Sequence, residues 1–516
     1  MNKNNCLYFI GISLVILTAF FLACWKIRQP GLYYDEMLFV NAAVGGKTDD
    51  FIALKVWGIP VLLMDYIGAL KAWFYYPIFS IFHVTYWSVR FPAICFGIAG
   101  GVALVAALWR GFGKNSAITG SIMILLDPTL LTHSRLDWGP NALMFFFRGI
   151  LLFSVVSCIQ TKKIKWAWIA LAAAFLGLFD KLNFIWFACA IVGAVAVAYY
   201  YQLKNNHLLK TQKAKPIIIV GSVIILATII RAITVAQQIS ISWPDRITGA
   251  CSLLRFTLCG GGALNFIAGN GLRIEHWFWP GYLIVFIAAV SSIKYLFKQK
   301  EQQRLFTFLG VTLLLVTGAF ILTKSATGPH HSSMISGLWQ MVVAPIVGAA
   351  LDNRQPGLDS LARFFVKIGL AVIFIGSCIA NIICINAFAK PTNSNWDTAN
   401  TTAASFAQQH PGAYFISTDW GMSTQIIGLT NGRSEISDAW PSFATPGSAV
   451  TTITTMKRDK DTYIYTQLPQ FEVFKNNRAN LFAALQKDSV DYQIVQTYAN
   501  VSGQPMIQLL LIPAKK

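Results

Sequence analysis

Asp35 and Glu36 stand side by side in GLYYDEMLF (31–39), a few residues after a long apolar run. Carboxylates close to lipid are costly, and such groups are functional suspects. Other ionisable residues fall at matching ends of apolar runs. The acids are Asp49, Asp50, Asp137, Asp180, Asp245 and Glu275; the bases include Arg90, Arg135, Lys181, Lys324, His330 and His331. A carboxylate within hydrogen-bond reach can take a proton from a hydroxyl. Fixed cations hold a departing phosphate, most strongly where water is scarce, and the planar fork of arginine suits a phosphodiester. The combination suits a reaction in which a hydroxyl is deprotonated and a phosphate leaves. Each residue also has a plainer reading. Arg135 and Asp137 in THSRLDWGPN (132–141) can pair to pin a loop, and Lys181 can mark a helix end by snorkelling. Arg90 can anchor at an interface or hold Asp35 and Glu36, and His330–His331 can be a polar turn. Asp127 in LLDPTL reads as helix-terminal and structural, Asp49 and Asp50 as an exposed loop.

The elements that must position these residues are membrane helices. The chain of 516 residues is 55% hydrophobic and 12% charged, against roughly 25% charged for a soluble protein. Eleven runs are long enough to span: 7–24, 88–109, 116–132, 142–159, 166–179, 184–201, 216–233, 277–297, 304–323, 334–351 and 364–388. The first is read as a retained helix, because no small-residue cleavage site follows it. Leu62–Phe82 is also apolar but is interrupted by Asp65 and Lys71, and is read as a juxtamembrane helix at the interface. The basic loops at 161–165, 204–215, 298–304 and 352–363 are expected inside by the positive-inside rule. Counting from them places residues 25–87, 133–141, 180–183, 234–276 and 324–333, with every candidate above, on the outer face. The aromatic clusters at 73–76 and 276–280 fit interface belts.

From residue 390 the pattern changes to short β-branched and aromatic runs, AYFISTDW, DTYIYTQL, VDYQIVQTYA and MIQLLLIP, beside the helical spacing of FEVFKNNRANLFAALQK. Residues 1–389 read as the transmembrane domain and 390–516 as a small extracytoplasmic α/β domain. The tail after residue 390 carries nine basic and nine acidic residues, so the whole excess of +19 lies in the membrane part. That distribution disfavours nucleic acid as a partner and favours membrane lipids with anionic head groups. The nine cysteines form no CxxC pair. Carboxylates and histidines can ligate a divalent metal, but no spacing matches a strong metal signature, so no metal ligands are assigned. No internal repeat is visible, which weakens a transporter built from inverted halves.

GLYYDEMLF resembles the Asp-Glu motif in the first outer loop of GT-C membrane glycosyltransferases, and is most similar to glycosyltransferase family 39, the protein O-mannosyltransferase and aminoarabinose transferase group. HSRLDWGP (133–140) resembles the second acidic site of that family. GLFDKLNFIWF (177–187) is similar to its Lys-containing segment, WSVRFPAICFG (87–97) to the start of its second span, and KSATGPHHSSMISGL (324–338) to its basic segment near the polyprenyl phosphate. The resemblance covers roughly residues 25–340. It implies an α-helical polytopic enzyme of about 11 spans. Such an enzyme transfers a sugar, with inversion, from a polyprenyl-phosphate donor to a lipid, glycan or protein acceptor. The expected location is the outer side of a bacterial inner membrane. Under it Asp35 is the general base, Glu36 positions it and Asp137 orients the acceptor. Arg90, Arg135, Lys181, His330 and His331 are the expected donor-phosphate ligands. Two other classes remain open: a transporter or flippase of lipid-linked sugar, with charges at helix midplanes, and a glycan ligase or polymerase using a diphosphate-linked donor.

Overall fold

The computed structural model describes residues 3–45, 52–205, 215–236, 243–269, 271–290, 293, 299–323, 328–352, 360–456 and 459–515. Asp49, Asp50, Lys324 and most of the basic loops at 204–215 and 352–363 lie outside these residues. Besides the single helical turn Pro329–Ser332, the α-helices among the described residues are α1 (Lys3–Cys24), α2 (Tyr34–Val44), α3 (Leu70–Ile81), α4 (Tyr86–Phe112), α5 (Lys114–Leu125), α6 (Pro128–Leu136), α7 (Asn141–Thr161), α8 (Ile164–Asp180), α9 (Ile185–Asn205), α10 (Lys215–Ala236), α11 (Trp243–Leu258), α12 (Gly262–Ala268), α13 (Glu275–Ala289), α14 (Lys300–Leu322), α15 (Leu338–Ala350), α16 (Ser360–Ala387), α17 (Thr398–Ser405), α18 (Met422–Leu429), α19 (Pro446–Thr455) and α20 (Asn477–Lys487). The strands are β1 (Leu54–Val56), β2 (Ile59–Met64), β3 (Ile67–Gly68), β4 (Tyr414–Ser417), β5 (Glu435–Asp438), β6 (Thr462–Gln467), β7 (Gln493–Ala499) and β8 (Pro505–Ile512). The chain divides into two compact units: residues 1–25, 92–266 and 270–385, and residues 26–91, 267–269 and 386–516.

The first unit is helical. Among the described residues eight helices are long and apolar enough to cross a membrane, or nine if the pair α11–α12, bent by 103°, is one span. Eleven runs were expected. Ser116–Thr132 is broken at Asp127–Pro128 because proline has no amide hydrogen for the helix ladder and starts a new helix well. Its two pieces are α5 and α6, and Asp127 caps the second by accepting from the Thr129 amide at 2.9 Å. Trp166–Phe179 becomes α8 with 17 residues. Residues 234–276, expected as a loop, contain α11 and α12. Within this unit α5 packs on α15, α7 on α8 and α9 on α14. α4 and α7 approach closely at Gly100 and Gly149, where a Cβ on Gly149 would lie 2.2 Å from the Gly100 carbonyl oxygen. Small residues are what allow such backbone approach inside a membrane.

The second unit joins the first loop to the tail. Leu62–Phe82 is not one helix: β1, β2 and β3 form an antiparallel sheet, and helix begins only at Leu70. The Trp57–Gly58 turn, both residues at positive φ, closes the β1–β2 hairpin. α2, β2, β3, α3 and the start of α4 share one core, including Met37, Phe39, Val40, Leu63, Tyr75 and Val89. The tail sheet has the order β5-β4-β6-β8-β7, parallel across β5, β4 and β6 and antiparallel across β6, β8 and β7. Side chains alternate between its faces, as the pleat requires. Phe415, Tyr463, Tyr465 and Leu509 meet α17 and α18 on one side. Ile416, Ile464 and Leu510 meet α19 and α20 on the other. Both faces of β6 are therefore covered, and all six of its residues are buried.

Candidate active site

The residues expected from sequence divide between the units, three in the second and five in the first. In the second, Asp35 and Glu36 form the first turn of α2. The helix N-terminus presents unpaired amides and a positive dipole end, so acids are stabilised there. The two acids then receive opposite treatment. Glu36 is wholly buried, and its carboxylate takes a bidentate pair from Arg90, Nε at 2.9 Å and Nη2 at 2.8 Å. Asp35 is partly exposed.

Arg90 corrects one expectation. Nη1 donates to the carbonyls of Ile27 and Pro30 at 2.8 and 2.9 Å, and Nη2 also donates to that of Gly31 at 3.0 Å. With Glu36, every N–H of the guanidinium is used and none remains for a donor phosphate. The side chain does what its plainer reading allowed: it holds Glu36 and the strand of chain before Asp35.

The tail supplies the rest of this setting. Tyr33 stacks on Trp396 with ring centroids 4.0 Å apart, and Tyr34 stacks on Trp420 at 4.4 Å. The Leu32 amide donates to Thr401 Oγ1 at 3.2 Å and its carbonyl accepts from Gln425 Nε2 at 3.0 Å. The Gly31 amide donates to the Trp396 carbonyl at 2.8 Å. A Cβ at Gly31 would lie 2.5 Å from the Asp397 carbonyl oxygen, so only glycine fits there. Burial first, and then the charge of Asp35, hold the phenols of Tyr33 and Tyr66 above their usual range. For Tyr34, burial is followed by Asp438 and then Asp35. Three protonated phenols thus lie within reach of the charge of Asp35. Sequence reasoning assigned no role to Tyr33, Tyr34, Tyr66, Trp396 or Trp420. The repeated aromatic pair directly before the acids was the available signal. Lys71 was also passed over. It is 3% exposed, with Nζ 4.5 Å from the centroid of Phe39 on α2.

The first unit gathers a second group. Asp137 ends α6 in the left-handed region (φ 44°) and Oδ1 accepts from the Ala142 amide at 2.8 Å, so one residue stops a helix and starts the next. Arg135 points elsewhere: Nη1 donates to the Ala23 and Trp25 carbonyls at 3.1 and 2.5 Å. It caps the C-terminal end of α1, where helix carbonyls lack partners. Arg135 and Asp137 are therefore both engaged with backbone. Lys181 is buried, and its ammonium lies 3.1 Å from where a Cβ of Gly139 would stand, which puts it against the turn after Asp137. Its charge bears on His133, His330 and His331. The two neighbouring imidazoles have centroids 4.0 Å apart, and His330 packs on Trp138 at 4.9 Å. Arg246, which the sequence did not single out, also bears on His331. The histidine segment is pinned at a distance. Asp127 Oδ2 accepts from Ser336 Oγ and Gln340 Nε2, both at 2.7 Å, and Ser332 Oγ meets Thr257 Oγ1 at 2.6 Å. Lys181, His330 and His331 thus form one group with the Asp137 turn. Among the described residues, no three His, Cys, Asp or Glu side chains gather as a metal cluster.

Known proteins narrow the reading. The structure is similar to ArnT from Cupriavidus metallidurans in the apo state, with TM-score 0.59 and 12% identity, covering 98% of each chain. The same protein bound to undecaprenyl phosphate gives 0.57 at 11%, covering 97% of this chain and 98% of that one. The fold is that of the GT-C membrane glycosyltransferases. AglB from Archaeoglobus fulgidus, an oligosaccharyltransferase solved with an inhibitory peptide and a dolichol-phosphate, matches at TM-score 0.50 and 11% identity. That match covers 95% of this chain and 69% of that one. Residues 69–233 match the family model described as dolichyl-phosphate-mannose-protein mannosyltransferase. No curated protein matches the sequence significantly. Of the GT-C residues expected from sequence, Lys181 and Arg90 fall within the matched stretch, as do Arg135 and Asp137, whereas Asp35 and Glu36 precede it.

Proposed function

We propose that the chain is an inverting glycosyltransferase that moves a sugar from a polyprenyl-phosphate donor to an acceptor on the non-cytoplasmic face of a bacterial inner membrane, with residues 390–516 on that same side. The observation that carries this reading is the asymmetry of the acidic pair: Glu36 is locked by Arg90, and Asp35 beside it is held in place but partly exposed. A base must be fixed in geometry yet reachable by substrate. Asp35 takes the hydroxyl proton as the acceptor oxygen bonds to the anomeric carbon from the side opposite the donor oxygen. The bond from that carbon to the donor oxygen breaks, and the electron pair leaves on polyprenyl phosphate. Where the acceptor is itself an ionised phosphate, there is no proton to take and Asp35 orients it. Lys181, with His330 and His331, neutralises the leaving phosphate. Asp137 is a positioning residue, since it fixes the turn against which Lys181 lies.

The similar folds of ArnT, solved with undecaprenyl phosphate, and AglB, solved with a dolichol-phosphate, support a lipid-phosphate donor. The test uses the purified full chain in liposomes with a polyprenyl monophosphate sugar. Transfer that disappears in Asp35→Asn, while the variant still purifies as a folded protein, supports the assignment; full activity in that variant overturns it. Donor movement across the bilayer without transfer would favour the flippase reading. Activity confined to a diphosphate-linked oligosaccharide would favour a ligase.

A further inference from the structure

The helical unit has a groove that the transfer reaction does not use. It has a volume of about 700 Å³ and lies where the N-terminal parts of α1, α5 and α16 meet the C-terminal end of α15. Its polar lining is concentrated in three residues, Tyr8, Asn115 and Lys367, and its walls include Ile118, Leu370 and Phe374. Among the described residues, none of those lining it is acidic. Tyr8 donates to Asn115 Oδ1 at 2.6 Å, which fixes the Asn115 carboxamide and turns its NH₂ to donor duty. Lys114 adds a second ammonium, 4.6 Å from the Tyr8 ring centroid. Lys367 is an exposed lysine on an apolar helix surface, flanked by exposed Phe364 and Phe365.

This groove is far from the end of α1 that Arg135 caps. On α1, the carbonyl of Ala23 that Arg135 caps lies 15 residues from Tyr8, roughly 22 Å along the axis. It therefore needs its own occupant. Lys367 and the Asn115 carboxamide in the lining, Lys114 against the Tyr8 ring, and the apolar walls match an ionised phosphodiester carrying acyl chains. Basic pockets between membrane helices take such head groups.

We infer that the groove between α1, α5 and α16 is a binding site for an anionic glycerophospholipid, its phosphate held by Lys114, Asn115 and Lys367 and an acyl chain lying against Ile118, Leu370 and Phe374. A lysine that merely snorkels would attract any phospholipid surface without regard to this trough. The test is native mass spectrometry of the purified full chain, with phosphatidylglycerol and phosphatidylcholine offered in equal amounts. The wild type is expected to retain phosphatidylglycerol preferentially. Lys114→Gln and Lys367→Gln should each lower that retention by about five-fold, the worth of one juxtamembrane cation. Lys367→Arg should keep most of it. Ala371→Trp, which fills the trough and leaves both lysines in place, should also lose the bound lipid. Equal retention of the two lipids, unchanged retention in both glutamine variants, or unchanged retention in Ala371→Trp would each overturn the site.

Discussion

The acidic loop and the lysine–histidine group solve the same problem by opposite means. Around Asp35, structure comes from Arg90 near the start of α4, through a buried ion pair, and from the tail, through two stacked aromatic pairs and bonds to the backbone. Around Lys181, it comes from the ends of the membrane helices, through Asp137 as joint stop and start and Asp127 as a remote pin. The acidic loop is therefore vulnerable to substitutions far away in sequence. The lysine–histidine group is vulnerable to changes in the breaks between helices.

That contrast can be broken in graded ways. Asp35→Asn should lower transfer by about 100- to 10,000-fold, as loss of a general base does, with unchanged melting of the purified protein. Arg90→Ala should act differently and lower both. It leaves the Glu36 carboxylate buried without its partner, a loss of about 3–5 kcal/mol that thermal unfolding would register. The double replacement Glu36→Leu with Arg90→Met should recover part of that stability, since neither charge of the pair is then left buried alone. Lys181→Gln should cost about 100-fold in kcat/KM for the lipid donor, the scale of one preorganised electrostatic contact, and should leave unfolding nearly unchanged. Gly31→Ala should have the smallest effect. The added methyl meets the Asp397 carbonyl, and overpacking of this kind costs about 1–3 kcal/mol. If Gly31→Ala leaves both melting and transfer untouched, the dependence of the acidic loop on the tail is wrong.

Much of the architecture was legible because the membrane writes it in hydropathy. Most of the apolar runs form helices, and AYFISTDW, DTYIYTQL, VDYQIVQTYA and MIQLLLIP hold β4, β6, β7 and all but the first residue of β8. The short strand Glu435–Asp438 was not visible, since four residues with two acids carry little pattern. The hairpin at 54–64 was hidden for another reason. Its apolar residues run straight into α3, and composition alone does not separate strand from helix in such a stretch. Asp35, Glu36 and Lys181 stood out as charges beside lipid. Their partners did not. The use of Arg90 depends on three carbonyls, and the packing of Tyr33 and Tyr34 depends on tryptophans more than 350 residues later, a distance no local spacing encodes.

The bond between Gln425 and the Leu32 carbonyl spans 393 positions. A ribosome therefore makes the acidic loop several hundred residues before its seat. Domains made at the N-terminus usually fold first during synthesis, but this loop must wait for the tail before it can take its final form. The nascent loop would then stay without its seat until the segment that carries Gln425 had been made.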